Sequence, residues 1–410
     1  MASSRKSKPA DPAALFYRQV RDEFAKLPSG SRVVVGLSGG VDSVVLLDLA
    51  CRLAARRRFA VRAIHINHQL QKPADAWARF CRRLCRARGV PLTVARVDVP
   101  RGDSLEGAAR ALRYQHYFRQ QADIVLLAHH ADDQAETVLL QLLRGTGLRG
   151  MAAMPYGPRE AGVRYRRDGP MPVIVRPLLS STRADIETYA RRRKLEWIED
   201  PSNADIYYQR NYVRQILMPA VAERFPAYRD ALTRAARHAG EAVGLLDELA
   251  VIDAGPEAGR ESLDLRVLRN LPPARARNLL RHFLVTHGVA IPAAVRLDEA
   301  LRQAREPRRD GTMAVAFGDR ELKRHGDRLM LIPVRAGKAE NWSAEWDGRK
   351  ILQLHENSGF LRAVTVVGEG ISLRWLAGRR MTVRPRRGGE RLKPAADSPT
   401  KTRKNLLQES

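Results

Sequence analysis

The stretch Val33-Val34-Val35-Gly36-Leu37-Ser38-Gly39-Gly40-Val41-Asp42-Ser43 constrains this chain more than any other. Its β-branched run has the pattern of a buried parallel strand. It ends in a Ser/Gly turn and gives way to the apolar helical run Val44-Val45-Leu46-Leu47-Asp48-Leu49. Strand, glycine turn and helix N-terminus in that order make an anion site, because free backbone N–H groups and the helix dipole both face the turn. Gly39 and Gly40 allow close approach to a phosphate, and Ser38 and Ser43 add hydroxyl donors. Asp42 is the odd member: a carboxylate beside phosphates repels them unless a metal bridges the two. No Gly-Lys-Ser/Thr is present, which excludes the usual P-loop, and no full Gly-x-Gly-x-x-Gly supports a dinucleotide fold.

Around this motif, strand and helix patterns alternate as far as about Pro219. Strands are predicted at 32–37, 61–67, 92–98, 123–128 and 172–176, with helices between them, for instance at 74–88 and 104–120. This alternation predicts a parallel α/β sheet with helices on both faces. Ligands of such sheets bind at the carboxyl ends of the strands. The phosphate turn, His65-Ile66-Asn67-His68 and Ala128-His129-His130 all fall at strand ends, so three motifs converge on one edge. The polar segment 157–170 has the pattern of an exposed loop. Beyond Ala220, to about Gly288, strand signals vanish and Ala/Arg/Leu helical periodicity takes over, after which strands are predicted at 312–317 and 328–332. The domain plan is a tail at 1–12, the α/β domain at 13–219, a mainly helical domain at 220–335, a linker at 336–367 and a basic C-terminal domain at 368–410.

The 410 residues carry 72 Lys and Arg against 45 Asp and Glu, a net charge of +27 that suits a polyanionic partner such as nucleic acid. Cys51, Cys81 and Cys85 make no disulfide framework. Cys81 and Cys85 share a helical face with Trp77 and Leu84, which predicts buried packing. Residues 1–9 lack an apolar signal core, and no apolar run is long enough to span a membrane. These features predict a cytoplasmic, reduced protein.

Three further segments carry chemistry. In Leu127-Ala128-His129-His130-Ala131-Asp132-Asp133-Gln134-Ala135-Glu136-Thr137, a buried strand ends in two histidines before a helix for which Asp132 is the expected cap. Asp133 and Glu136, at i and i+3, share a helix face directed at the crevice of Asp42. Such carboxylates can hold Mg²⁺ between phosphates or grip a substrate ammonium. His129 or His130 can offset phosphate charge or move a proton. In Ser104-Leu105-Glu106-Gly107-Ala108-Ala109-Arg110-Ala111-Leu112-Arg113-Tyr114, Ser104 is the expected cap, and Arg110 and Arg113 at i and i+3 form either a phosphate-neutralising pair or a solvated basic face. Asp200-Pro201-Ser202-Asn203 is a turn signal, followed by Arg210-Asn211-Tyr212-Val213-Arg214.

Ser-Gly-Gly-Val-Asp-Ser at 38–43 resembles the pyrophosphate loop of the N-type ATP pyrophosphatases, whose domains are adenine nucleotide alpha hydrolase-like. The whole set of motifs resembles the bacterial tRNA(Ile)-lysidine synthetases. The matching strings are 38–43, His65-x-Asn67-His68-x-Leu70, Glu106-x-Ala108-Ala109-Arg110-x-x-Arg113-Tyr114 and His129-His130-x-Asp132-Asp133-Gln134-x-Glu136-Thr137. Arg144-Gly145-Thr146-Gly147, Arg176-Pro177-Leu178-Leu179, Arg210-Asn211 and Arg384-Pro385-Arg386-Arg387-Gly388-Gly389-Glu390 extend the likeness.

The resemblance implies an ATP pyrophosphatase domain, a mainly helical tRNA-binding domain and a small α+β C-terminal domain, here cut short at Ser410 relative to the family plan. It implies ligation of free L-lysine to the wobble cytidine of the CAU anticodon of isoleucine tRNA, with ATP converted to AMP and pyrophosphate. ATP would be bound by Ser38, Gly39, Gly40, Val41, Asp42, Ser43, His65 and Asn67. Mg²⁺ would sit on Asp42 and Asp133. Asp42, His129, Asp133, Glu136, Arg110, Arg113 and Arg210 would be catalytic. Basic residues Arg384, Arg386, Arg387, Lys401 and Lys404 are the expected tRNA contacts. Partners would be tRNA, L-lysine and ATP, with no membrane, and a homodimer is left open. A rival within the class is a tRNA thiolase, which needs a reactive cysteine, and none sits at a motif. A second rival is an amidating or synthetase enzyme that uses the same loop on small molecules, and a third, from another class, is a non-catalytic tRNA-binding protein with a relic nucleotide fold.

Overall fold

The structure is a computed structural model. It describes residues 11–69, 73–98, 105–155, 157, 165–166, 169–257, 259, 261–290, 293–306, 313–334, 342–354, 359–367, 372, 374, 379–385, 391–392 and 401–402. The chain divides into two compact units, residues 1–311 with 325–329 and residues 312–324 with 330–410.

The first unit is organised by a parallel sheet of β1 (Arg32–Gly36), β2 (Ala60–Asn67), β3 (Leu92–Arg96), β4 (Ile124–Leu126) and β7 (Val173–Val175), in the order β3-β2-β1-β4-β7. All four neighbouring pairs are parallel, and Val33 of the central strand lies opposite both Val61 and Ile124. The strand alternation of β1 explains the layers. Val33 and Val35 pack with Phe16, Val20 and Phe24 of α1 (Pro12–Ala25), Val44 and Leu47 of α2 (Val41–Arg57), Cys81 and Cys85 of α3 (Ala74–Arg86) and Ile186 of α7 (Arg183–Arg192). Val34 faces the other way, with Val125, Leu127 and Tyr117 of α4 (Leu105–Phe118).

The predicted strands and helices of this region are all present, most of them shorter at their ends by a few residues, while β2 starts one residue earlier than predicted. Most of the expected loop at 157–170 and the expected cap Ser104 lie outside the described residues, while β5 (Tyr165–Arg166) and β6 (Gly169–Pro170) form a two-residue antiparallel pair. Helices α5 (Ala131–Leu143) and α6 (Leu148–Met151) lie between β4 and β5, and α8 (Gln209–Tyr212), a π-helical turn at Val213–Leu217 and α9 (Met218–Arg224) follow α7.

Helices α10 (Tyr228–Ala254), α11 (Leu265–Asn270), α12 (Pro273–Thr286) and α13 (Ala294–Arg305) fall in the same unit as the sheet. Ala135 of α5 shares a buried cluster with Val213, Met218 and Tyr228. This cluster fixes α5, α9 and α10 to one another. Strand signals do not vanish completely here: β8 (Ser262–Asp264) precedes α11, whose N-cap Asp264 accepts from the Arg266 N–H. The strand predicted at 312–317 is β9 (Ala314–Phe317), and it pairs with β10 (Arg320–His325), which the sequence pattern did not announce. In β10 one buried residue, Leu322, stands among charged neighbours, so the alternation is too sparse to detect. After β11 (Arg328–Pro333), the second unit shows antiparallel strand pairs, β12 (Ala344–Trp346) with β15 (Met381–Val383) and β13 (Leu352–Gln353) with β14 (Phe360–Leu361).

The end of β1 is closely packed. A Cβ on Gly36 would meet Leu127 Cδ2 at 2.8 Å and Tyr117 Oη at 3.0 Å. Gly36→Ala is expected to destabilise the protein by about 1–3 kcal/mol, the usual cost of overpacking. The measurement is the urea midpoint, which should fall at an unchanged m value.

Candidate active site

The β1–α2 turn is shaped by its own residues. Gly40 is the N-cap of α2, with no side-chain cap. Gly39 has φ +98°, and a Cβ there would also meet Ile198 Cδ1 at 2.8 Å. The Gly39 carbonyl accepts the Ile198 N–H at 2.9 Å, so segment 197–198 is laid against the turn. Ser43 is buried; its hydroxyl accepts the Ser38 and Gly39 N–H groups at 3.2 and 3.1 Å and donates to the Gly40 carbonyl at 2.9 Å. Ser43 therefore holds the shape of the turn, while Ser38 stays exposed. The first intrahelical bond is donated by Val44 to Gly40 (3.1 Å), which leaves the N–H groups of Val41, Asp42 and Ser43 directed at the turn.

A cleft of about 1160 Å³ opens at the carboxyl ends of β1, β2 and β4. This is where the strand order reverses about β1, the expected ligand position. The cleft brings together Ser38, Gly40, Val41, Asp42, Ser43, His65, Asn67, Arg113, His129 and Asp133 from the predicted set. Asp42 Oδ1 is buried there without a hydrogen-bond partner. Loss of solvent pushes this carboxyl above its usual range, against the pull of His130 and Arg183.

The cap of α5 differs from expectation. His130, not Asp132, is the N-cap: its Nδ1 accepts the Asp133 N–H at 3.4 Å, and Asp133 Oδ2 accepts the His130 N–H at 3.1 Å. Asp132 is drawn away by the Arg183 N–H (2.9 Å) and the Arg229 guanidinium. His130 Nε2 lies 3.4 Å from Asp133 and 3.8 Å from Asp42. Burial opposes its protonation but is outweighed by Asp132, Asp133 and Asp42, so its affinity for a proton rises.

Asp133 and Glu136 share a buried ionic cluster with two arginines of the following elements. Arg210 donates to Asp133 Oδ1 and Glu136 Oε2, both at 3.0 Å. Arg214 donates to Glu136 Oε1 (2.6 Å) and Oε2 (3.0 Å) and to Asp133 Oδ1 (3.2 Å). Glu136 is only 2% exposed, so its charge requires this pairing. Burial alone would raise the Asp133 carboxyl, but His130 and Arg210 bring it below its usual value.

The histidines divide by environment. His65 Nδ1 donates to the Leu37 carbonyl at 2.9 Å, tying β2 to β1, and burial lowers its proton affinity. Asn67 bridges Asp75 and the Gln69 N–H, both at 3.0 Å. His129 Nδ1 accepts from Arg176 Nε at 3.3 Å, and burial lowers its pKa to about 3. It is therefore neutral at physiological pH and serves as an acceptor. His68 also lines the cleft, and burial followed by Arg113 lowers it to about 4.

Arg110 is exposed and stacks on Tyr114, 5.0 Å from the ring centroid, outside the cleft lining. Arg384 is exposed in the second unit. Lys401 lies in β17 (Lys401–Thr402), and Arg386, Arg387 and Lys404 lie outside the described residues. Arg183 was not singled out, and Arg214, Arg176 and the segment Trp197–Ala204, although quoted in whole or part within motifs, were given no site role. Arg214 had a legible signal, its i+4 spacing from Arg210, whereas the others contribute through packing between distant segments. Cys81 and Cys85 are buried and their thiols are pushed up to about 12 and 11, the reverse of a reactive thiolate. Among the described residues, no group of three or more His, Cys, Asp or Glu is placed to hold a metal ion. No helix among them is long and apolar enough to cross a membrane.

The parallel sheet, the strand-end cleft and the glycine turn on α2 define an ATP-using domain of the PP-loop class, and residues 14–221 match the PP-loop domain model. Residues 263–330 match the TilS substrate binding domain. Relatives include the tRNA(Ile)-lysidine synthases of Nitrosomonas europaea (38% identity, covering 100% of this chain and 88% of that protein) and Methylococcus capsulatus (42%, 95% and 88%). The enzyme of that name from Azoarcus sp. is 42% identical over 94% of this chain and 83% of its own length. The chain belongs to the tRNA(Ile)-lysidine synthase family.

The paired state of Asp132 has a pH consequence. Burial would raise its carboxyl, but His130, Arg183 and Arg229 hold it well below the usual carboxylate range. Its contribution to stability is complete above the unfolded-state pKa near 4 and is lost as pH falls toward the folded value. Asp132→Asn is expected to flatten the acid limb of a stability-against-pH curve measured by denaturant unfolding.

Proposed function

We propose that this cleft carries out the two-step synthesis of lysidine from an isoleucine tRNA with a CAU anticodon, ATP and free L-lysine. In the first step the 2-carbonyl oxygen of the wobble cytidine attacks the α-phosphorus of ATP, and pyrophosphate leaves. In the second, the lysine ε-amine attacks C2 of the base; the C2–O bond breaks, the oxygen departs with AMP, and the amine loses a proton. Family membership supports the reaction. The observation that carries the site assignment is one cleft that joins the N–H groups of α2 to Asp42, Asp133 and Arg214, with Glu136 and Arg210 ion-paired to the last two behind its wall.

In this reading the N–H groups of Val41, Asp42 and Ser43 bind the departing pyrophosphate, with Ser38 at the open side of the turn. Arg113 lines the cleft and suits the remaining phosphate charge. Lysine carries an ammonium and a carboxylate. The four-residue cluster offers partners for both, because a substrate carboxylate can take an arginine and its ammonium a vacated carboxylate. His129, neutral and held by Arg176, is an orienting acceptor. His130 sits among three carboxylates and suits proton exchange.

Mg²⁺ is part of the proposal. Asp42, with a buried oxygen that accepts no hydrogen bond beside the phosphate turn, fits a cation. Asp133 fits less well, because both its oxygens are already engaged by Arg210, Arg214 and the His130 N–H. When bound, Mg²⁺ would offset phosphate charge. The basic C-terminal residues are proposed tRNA-phosphate contacts, and a cytoplasmic location is proposed with them because it suits a tRNA substrate.

The test is incorporation of labelled lysine into an unmodified CAU-anticodon isoleucine tRNA transcript, with the CAU-anticodon methionine tRNA as control. ATP-dependent labelling of the first alone is expected; equal labelling of both, or of neither, contradicts the reading. Asp42→Asn should lower kcat on the order of 100-fold or more. Asp133→Asn and Glu136→Gln should raise the KM for lysine, and if both leave lysine kinetics unchanged the lysine-site assignment is wrong.

A further inference from the structure

We propose that Tyr207, Tyr208 and Tyr212 form a stacking platform for unpaired bases beside the reacting cytidine, an inference that rests on the lysidine-forming reading above. Tyrosine usually buries its ring. Here three tyrosines within six residues are 88%, 42% and 44% exposed. Tyr207 and Tyr208 meet edge to face at 5.9 Å, and Tyr208 and Tyr212 are spaced i and i+4 across the start of α8.

The platform is braced from below. Asp200 Oδ1 accepts the Ser202 N–H (2.9 Å) and hydroxyl (2.7 Å). Asn211 Nδ2 donates to the carbonyls of Ser202 and Asp205, both at 2.8 Å, and Asp205 Oδ1 accepts the Tyr207 N–H at 3.0 Å. Arg210 and Arg214, two residues along from Tyr208 and Tyr212, are directed to the opposite side and pinned to Asp133 and Glu136. The rings are therefore exposed on a fixed backbone, which limits the ordering cost of binding.

The position selects RNA as the occupant. Asn203, Ala204 and Gln215 line the cleft, and Tyr207 lies only three residues beyond Ala204, within a chain reach of about 11 Å. A cytidine can enter the cleft only when unstacked, which leaves its neighbours with bare faces for aromatic rings. Arg144, exposed and hydrogen-bonded to the neutral amide of Gln209 (2.7 Å), sets a positive charge beside the platform for the phosphates between those bases.

The experiment uses the full chain and two anticodon stem-loops, one intact and one lacking the two bases that flank the reacting cytidine. The Tyr207→Ala/Tyr208→Ala variant should bind the intact stem-loop about ten-fold more weakly than the unaltered protein. It should show no such difference on the stem-loop without flanking bases, and the double Phe variant should restore binding. In lysine incorporation the Ala variant should raise the KM for tRNA with kcat little changed. Equal loss on both stem-loops, or unchanged binding accompanied by altered self-association in sedimentation, overturns the platform. Failure of the unaltered protein to incorporate lysine overturns the reaction instead, and the stem-loop comparison still decides the platform.

Discussion

The structure around the cleft depends on the pairing of two buried carboxylates with two guanidinium groups. Asp133 and Glu136 sit on the first turns of α5, one of them almost without solvent, and an unpaired charge there would cost several kcal/mol. Arg210 and Arg214 meet that requirement only if α8 and its π-helical continuation lie against α5. That docking carries the preceding segment with it, so Trp197–Ala204 reaches the edge of the cleft and Ile198 hydrogen-bonds to the phosphate turn. One electrostatic demand thus positions the charged pocket, the cover of the turn and the exposed tyrosines beside them.

The turn itself works by a different economy. Its hydroxyl from Ser43 is spent on holding backbone N–H groups in place, and its glycines make room for Leu127, Tyr117 and Ile198 at distances a side chain would violate. What remains available to an anion is the start of α2, fixed by a strand buried on both faces. The same sheet orders the histidines: His65 is tied to β1, His129 to Arg176, and only His130 lies among carboxylates that favour its protonation. Three histidines close in space therefore have three different electrostatic environments.

Much of this was legible without coordinates. Periodicity located the five strands, because buried parallel strands are continuous apolar runs, and the convergence of motifs at strand ends followed from the general behaviour of such sheets. The motif at 38–43 and the i, i+3 pair of Asp133 and Glu136 pointed to the strand-end cleft that the structure shows. Less legible were β10, with a single buried leucine, and the cap of α5. Capping preference favours an aspartate, yet Asp132 is taken by Arg183 and Arg229, and the imidazole of His130 accepts the N–H instead.

The sequence by itself determined the class of sheet, the strand–glycine turn–helix of the candidate anion site and the family, since these rest on local pattern and on spacing along the chain. Only the tertiary structure decided which charges neutralise one another, which histidine is neutral and which arginines enter the cleft. Those outcomes depend on burial and on pairs such as Glu136 with Arg214, 78 residues apart. No local pattern encodes such a distance, because electrostatic energy depends on separation in space and on the surrounding dielectric.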